Sequence, residues 1–239
     1  MRSRRVQKIL GWISERLGLT ITVGLVAGLL VSAGIIAAFA GLTDDVVEGE
    51  SRRFDRSVLL WIHTHFPGWL NEPMRLITAL GYYYIVIPIL AVAVFIFYRK
   101  GWKLSAILLC VSTVGGIILT TLLKSVFVRA RPELFNSGYK ASFYSFPSGH
   151  ATVAVAFYGM LTLILAYRLN SARRWLVAAG GITIVLLIGF SRLYLGVHYP
   201  TDILAGYLSA LMWIATVGAV YYLWLALRGS REEAGRKDP

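Results

Sequence analysis

Three short polar groups, each closing a long apolar run, carry residue types suited to phosphoryl chemistry. They are Lys124 with Arg131-Pro132 seven positions on, then Pro147-Ser148-Gly149-His150, then Ser191-Arg192 followed by His198 and Asp202. Together they supply three cations to neutralise phosphate oxygens, two imidazoles to attack or to move a proton, and one carboxylate. Asp202 lies four residues after His198, so a turn between them brings the carboxylate to the non-reacting ring nitrogen and fixes tautomer and orientation. Pro147 and Pro200 suit helix starts, where the missing N–H costs nothing. Ser148 and Gly149 then present backbone N–H groups at a helix N-terminus, which favours an anion.

Each part alone has an ordinary reading. A single Arg at a span end snorkels, Pro-Ser-Gly is a common turn, and Asp202 alone reads as a helix N-cap. The combination, in one order and on one side of the chain's hydropathy map, points to a common phosphate site.

The elements that must position these residues are membrane spans. Hydrophobic residues make up 57% of the 239 and charged residues 15%, with a mean hydropathy of +0.66, too apolar for a soluble domain of this length. Charge-free stretches predict six spans at about 19–41, 76–98, 103–124, 148–168, 174–191 and 202–227, since about 20 apolar residues cross the hydrocarbon core as helix. The fold class is therefore all-α: one integral membrane bundle of six transmembrane helices, forming a single domain over 1–239. The first span has a basic lead-in and an Ala38-Phe39-Ala40 sequence that mimics a cleavage site, but its apolar run exceeds a signal peptide's and reads as a retained anchor.

The larger part of the 24 basic residues falls before Gly18, at Arg99/Lys100/Lys103, at Arg168/Arg173/Arg174 and in the tail from Arg228. The positive-inside rule then puts both termini in the cytoplasm. Counting crossings from there, all three polar groups meet at the outer face. Span borders thus account for most of the +12 net charge, which excludes a nucleic-acid reading. Arg129 and Lys140 are expected to be headgroup or surface charges.

Between the first two spans, Phe54, Val58, Leu59, Trp61, Ile62 and Phe66 alternate with Arg53, Asp55, Arg56 and His63 in a helical pattern that stops at Pro67-Gly68. This predicts an amphipathic interfacial helix on the outer leaflet. His63 and His65 stand two apart, which does not share a helix face, so no metal is expected there. Cys110 is the one cysteine, excluding an intrachain disulfide and a cysteine-built zinc site. Gly115-Gly116 and Gly180-Gly181 read as close-packing points. The Gly24/Gly28 pair is too common a pattern to specify a dimer, and oligomeric state stays open.

The motifs KSVFVRARP (124–132), PSGH (147–150) and SRLYLGVHYPTD (191–202) resemble, position for position, those of the type 2 phosphatidic acid phosphatase (lipid phosphate phosphatase) superfamily. The resemblance implies His198 as nucleophile, Asp202 as its orienting partner and His150 as general acid. It implies Lys124, Arg131, Ser148, Gly149 and Arg192 as the phosphate-binding set, with no metal and no cofactor. It further implies a membrane lipid phosphate or pyrophosphate as substrate, undecaprenyl pyrophosphate and phosphatidylglycerophosphate foremost, in a bacterial plasma membrane. Vanadate-dependent oxidation, transfer of the phosphoryl group to an acceptor lipid, and non-enzymatic lipid binding or transport are the alternatives for such a pocket.

Overall fold

The computed structural model describes residues 28–135 and 137–234, and the regular elements among them are helices. These are α1 (Gly28–Glu48), α2 (Arg52–His65), a 3₁₀ turn (Gly68–Leu70), α3 (Asn71–Ala79), α4 (Tyr83–Arg99), α5 (Lys103–Phe127), α6 (Gly149–Arg168), α7 (Ser171–Tyr194) and α8 (Pro200–Ala234). Five are long and apolar enough to cross a membrane, and a sixth span arises if Gly68–Ala79 and Tyr83–Arg99, bent by 48°, count as one. The opening of the first predicted span, the basic segment before it with Gly24, and residues 235–239 lie outside the described residues.

Lipid gives helices no hydrophobic reason to associate, so close packing of small residues has to do it. A Cβ built on Gly116 of α5 would stand 2.7 Å from the Ala156 Cβ of α6, and one on Gly181 of α7 would meet the Thr162 side chain. Gly115 gives the same close approach to Trp213, whereas Gly180 has open space. The apolar core gathers Val86, Leu90, Leu109, Val153, Phe157 and Met160 from α4, α5 and α6. Within α6, residues Val155–Gly159 form a π turn, and Ser112 of α5 donates to the Ala156 carbonyl there at 2.7 Å.

The interfacial helix α2 ends at His65, just before Pro67-Gly68. Phe54 and Trp61 face outward while Ser51, Asp55, Leu59 and Ile62 are buried. That inner face packs on α3 and the end of α7 through Ile62, Met74, Tyr194 and Leu195. His63 stacks on Phe135 (4.1 Å between centroids) and His65 on Trp61 (4.7 Å). The second apolar run is broken at 80–82, where Gly81 lies under a neighbouring helix: its Cβ would sit 3.0 Å from the His150 ring and 2.9 Å from Ile188.

The crossing of α6 and α8 is the tightest constraint near the polar end of the bundle. A Cβ on Gly206 would lie 2.7 Å from the Ser148 carbonyl and 3.2 Å from the Thr152 amide, both backbone atoms that cannot rotate away. Gly206→Ala is expected to destabilise the protein by about 1–3 kcal/mol, lowering its unfolding temperature in detergent, and to reduce activity in the fraction still folded. Wild-type stability in that variant would mean that the two helices are free to separate.

Candidate active site

The residues singled out in the sequence come from helix ends far apart in the chain. Lys124 lies in the last turn of α5, Ser148 caps α6 with Gly149 and His150 following, Arg192 lies in the last turn of α7, and Asp202 in the first turn of α8. Arg131 and His198 sit on the two connections, 128–148 and 195–199. This arrangement obeys helix-dipole logic: cations fall at C-termini and the carboxylate at an N-terminus.

Lys124, Arg131, Gly149, His150, Arg192 and His198 line one cavity of about 710 Å³, together with aromatic and apolar residues including Tyr82, Tyr83, Ile117 and Phe143. Asp202 and Ser148 stand behind its wall. Ser148 is fully buried, and its hydroxyl accepts from the Ala151 amide at 3.5 Å as the N-cap of α6. Its amide donates to the Asp202 carbonyl at 2.9 Å, tying the starts of α6 and α8 together. Of the predicted phosphate-binding set, Gly149 therefore reaches the cavity and the Ser148 side chain serves the helix.

His198 is 1% exposed. Arg131 Nη1 lies 3.1 Å from its Nε2; a guanidinium can only donate, so Nε2 carries the lone pair and Nδ1 the proton. That proton is donated to Asp202 Oδ2 at 3.2 Å. The same carboxylate oxygen accepts from the Tyr199 amide at 2.8 Å, and Oδ1 from Arg129 Nη1 at 2.6 Å. Burial, then the charges of Arg192, Arg131 and Lys124, hold the His198 imidazole well below the usual histidine range, so it is neutral with its Nε2 lone pair on the cavity side.

The cavity cations are held by neutral oxygens. Lys124 donates to the Tyr144 and Ser145 carbonyls. Arg131 donates to the carbonyls of Phe143 (2.8 Å), Ser142 (2.7 Å) and Val197 (2.7 Å). Phe143 adopts a left-handed backbone, φ 64°, which a bulky residue does at a cost and which turns this run of carbonyls toward Arg131. Burial, then the nearby Arg192, lowers the Arg131 pKa to about 10, so its charge persists at neutral pH. Arg192 is 1% exposed, donates to Thr78 Oγ1 (2.8 Å) and Tyr139 OH (3.3 Å), and packs over the Tyr139 ring. Among the described residues none of the three cations pairs with a carboxylate. Thr120 Oγ1, His150 Nε2 and Arg192 Nε, buried in residues that line the cavity, have no hydrogen-bond partner among the described residues. Orphaned donors beside uncompensated positive charge make a site for an anion rich in acceptors.

Several residues of the site went unread in the sequence. Arg129, expected among the surface charges, has a side chain only 14% exposed and pairs with both Asp202 and Asp55. Burial opposes its charge, but Asp202 and Asp55 together outweigh burial and raise its pKa. It is internal because α5 ends in a left-handed Val128, φ 43°, which turns the chain back over the bundle. Lys140 does line the cavity rim. Tyr82 supports His150, edge to face at 4.4 Å, and its hydroxyl bonds to that of Tyr139. Tyr82 and Thr78 flank the break between α3 and α4, which a smooth apolar run concealed.

The PAP2 superfamily profile matches residues 105–228. Phosphatidylglycerophosphatase B of Bacillus subtilis is 36% identical over 149 residues, 60% of this chain and 71% of that protein. An undecaprenyl-diphosphatase of Sulfolobus acidocaldarius is 34% identical over 151 residues, 61% of this chain and 68% of the relative. The crystal structure of a transmembrane PAP2 type phosphatidylglycerolphosphate phosphatase from Bacillus subtilis superposes with a TM-score of 0.71 at 28% identity, covering 79% of this chain and 94% of that one. The profile takes in the ends of α5 to α8 that form the cavity, and the solved relative shares the layout of the bundle around them. The chain belongs to the PAP2 superfamily.

Proposed function

We propose that this protein is a metal-independent membrane phosphatase that hydrolyses lipid phosphomonoesters or pyrophosphates through a phosphohistidine at His198. One observation carries the reading: Lys124, Arg131, Arg192, His150 and His198 line a single cavity whose lining, among the described residues, holds no carboxylate. His198 Nε2 attacks phosphorus while Asp202 stabilises the positive charge growing on the ring through its hydrogen bond with Nδ1. His150, at the start of α6 with no partner for Nε2 among the described residues, protonates the departing oxygen and then activates the water that cleaves the phosphohistidine. Lys124, Arg131, Arg192 and the Gly149 amide stabilise the equatorial oxygens, the part that metal ions play in other phosphoryl transferases. The apolar share of the lining suits an amphiphile whose tails remain in lipid.

Phosphatidylglycerophosphatase B and undecaprenyl-diphosphatase among the relatives support a lipid phosphate or pyrophosphate as substrate, and undecaprenyl pyrophosphate is our first choice. The distribution of basic residues supports a plasma-membrane protein with cytoplasmic termini and an extracytoplasmic cavity.

His198→Ala is expected to lower phosphate release from undecaprenyl pyrophosphate, phosphatidylglycerophosphate and phosphatidic acid by about a thousandfold or more while the protein still folds. Near-wild-type release would remove the nucleophile. His150→Ala should lose about 10²–10⁴-fold on lipid esters and far less on an activated aryl phosphate, whose leaving group needs no proton; equal losses would remove the acid role. Because His198 is held neutral, kcat/KM should stay level as pH falls through 6.5, the ordinary histidine value; an acid limb centred at or above that pH would contradict the neutral ring. For sidedness, Glu133, exposed on the 128–148 connection, should as Glu133→Cys in a Cys110→Ser background react with an impermeant maleimide in intact cells. Labelling only after lysis would reverse the orientation.

A further inference from the structure

We propose that Asp55, on the interfacial helix α2, is a positioning residue for His198 that acts through Arg129 and Asp202. It rests on the assignment of His198 as nucleophile. Asp55 is fully buried although α2 lies at the edge of the bundle. Oδ2 accepts from Arg129 Nη2 (2.7 Å) and Thr201 Oγ1 (2.7 Å), and Oδ1 from the Thr201 amide (3.1 Å). That amide belongs to the first turn of α8, where backbone N–H groups have no partner within the helix. Asp55 thus caps α8 from 146 residues away and fixes the turn from which Asp202 reaches back to His198.

The second contribution is charge. Asp202 is shared between His198 and Arg129, so an Arg129/Asp202 pair alone would be neutral toward the imidazole. Asp55 on the other arm of the same guanidinium leaves the cluster with one net negative charge. Such a cluster stabilises the positive ring that forms as His198 bonds to phosphorus. Arg129 is held in place from the remaining side by the Tyr199 ring, 4.3 Å away, and bonds to Thr201 Oγ1 at 2.8 Å. Lys124, Arg131, Arg192 and His150 face His198 from α5, the 128–148 connection, α7 and α6, and the two guanidiniums are permanent cations opposing a charged ring. The Asp55/Arg129/Asp202 cluster is what works against them.

The test uses the full chain, purified in lipid nanodiscs, with Asp55→Asn, Asp55→Glu and His198→Ala side by side. Asn keeps the shape and loses the charge. Turnover per active site, counted from the amplitude of the phosphoenzyme burst, should fall about 10- to 100-fold, the range for removing an outer partner of an oriented imidazole, with KM changed less than about threefold. Removing a negative charge disfavours the protonated ring, so the acid limb of kcat/KM should move to lower pH even as the plateau drops. Glu retains the charge and should lose kcat with no movement of the limb, which gives a reading even if Asn fails to fold. Wild-type turnover per active site in the variants that fold, or the same limb in Asn and wild type, would overturn the inference while an inactive His198→Ala keeps the nucleophile. Phosphate release by His198→Ala would instead bring down the proposed function itself.

Discussion

Three cations gathered at the edge of a membrane, with no carboxylate paired to them among the described residues, constrain this protein more than any other feature. Lys124, Arg131 and Arg192 give up hydration on entering the bundle, and such a loss is tolerable only if dipoles or a counter-ion replace the water. The structure supplies dipoles: the carbonyls of Ser142, Phe143, Tyr144, Ser145 and Val197, a threonine hydroxyl and a tyrosine. Neutral oxygens orient the cations without cancelling them. The nearest carboxylate, Asp202, is turned to Arg129 and the His198 ring, so the positive field is left for a multiply charged anion.

The fold meets this demand by using helix ends in place of loops. Two C-termini bring Lys124 and Arg192, and two N-termini bring the Gly149 amide and Asp202, each charge matched to the dipole it sits on. Glycines at 116, 181 and 206 let the helices approach closely enough for their ends to share a cavity. The Ser148 amide bonded to the Asp202 carbonyl locks the two N-termini in register. The device is economical because a change in one helix crossing is felt at both imidazoles.

Much of this was legible in the sequence because the site residues are local punctuation in long apolar runs. Residue type, spacing and parity of crossings sufficed to bring Lys124, Arg131, Gly149, His150, Arg192 and His198 together. Pairings across long sequence distances were not legible. Arg129 reads as one more cation near a span end, and its partners lie 73 and 74 residues away. Asp55 did leave a signal: with Leu59 and Ile62 it falls at helical spacing on the buried face of α2, and an acid on an apolar face asks for a partner. Tyr82 and Tyr139 were hidden because a break within an apolar run does not alter its hydropathy. The Ser148 hydroxyl stands at the N-cap of α6, a position from which a side chain can cap a helix or meet an anion.

The structure of the protein with bound orthovanadate bears most directly on the convergence of cations and imidazole on one phosphate. The account predicts vanadium bonded to His198 Nε2, oxygens within hydrogen-bond reach of Lys124, Arg131, Arg192 and the Gly149 amide, and an apical oxygen facing His150. Vanadate bound away from His198, or touching the cations while Nε2 points elsewhere, would contradict it.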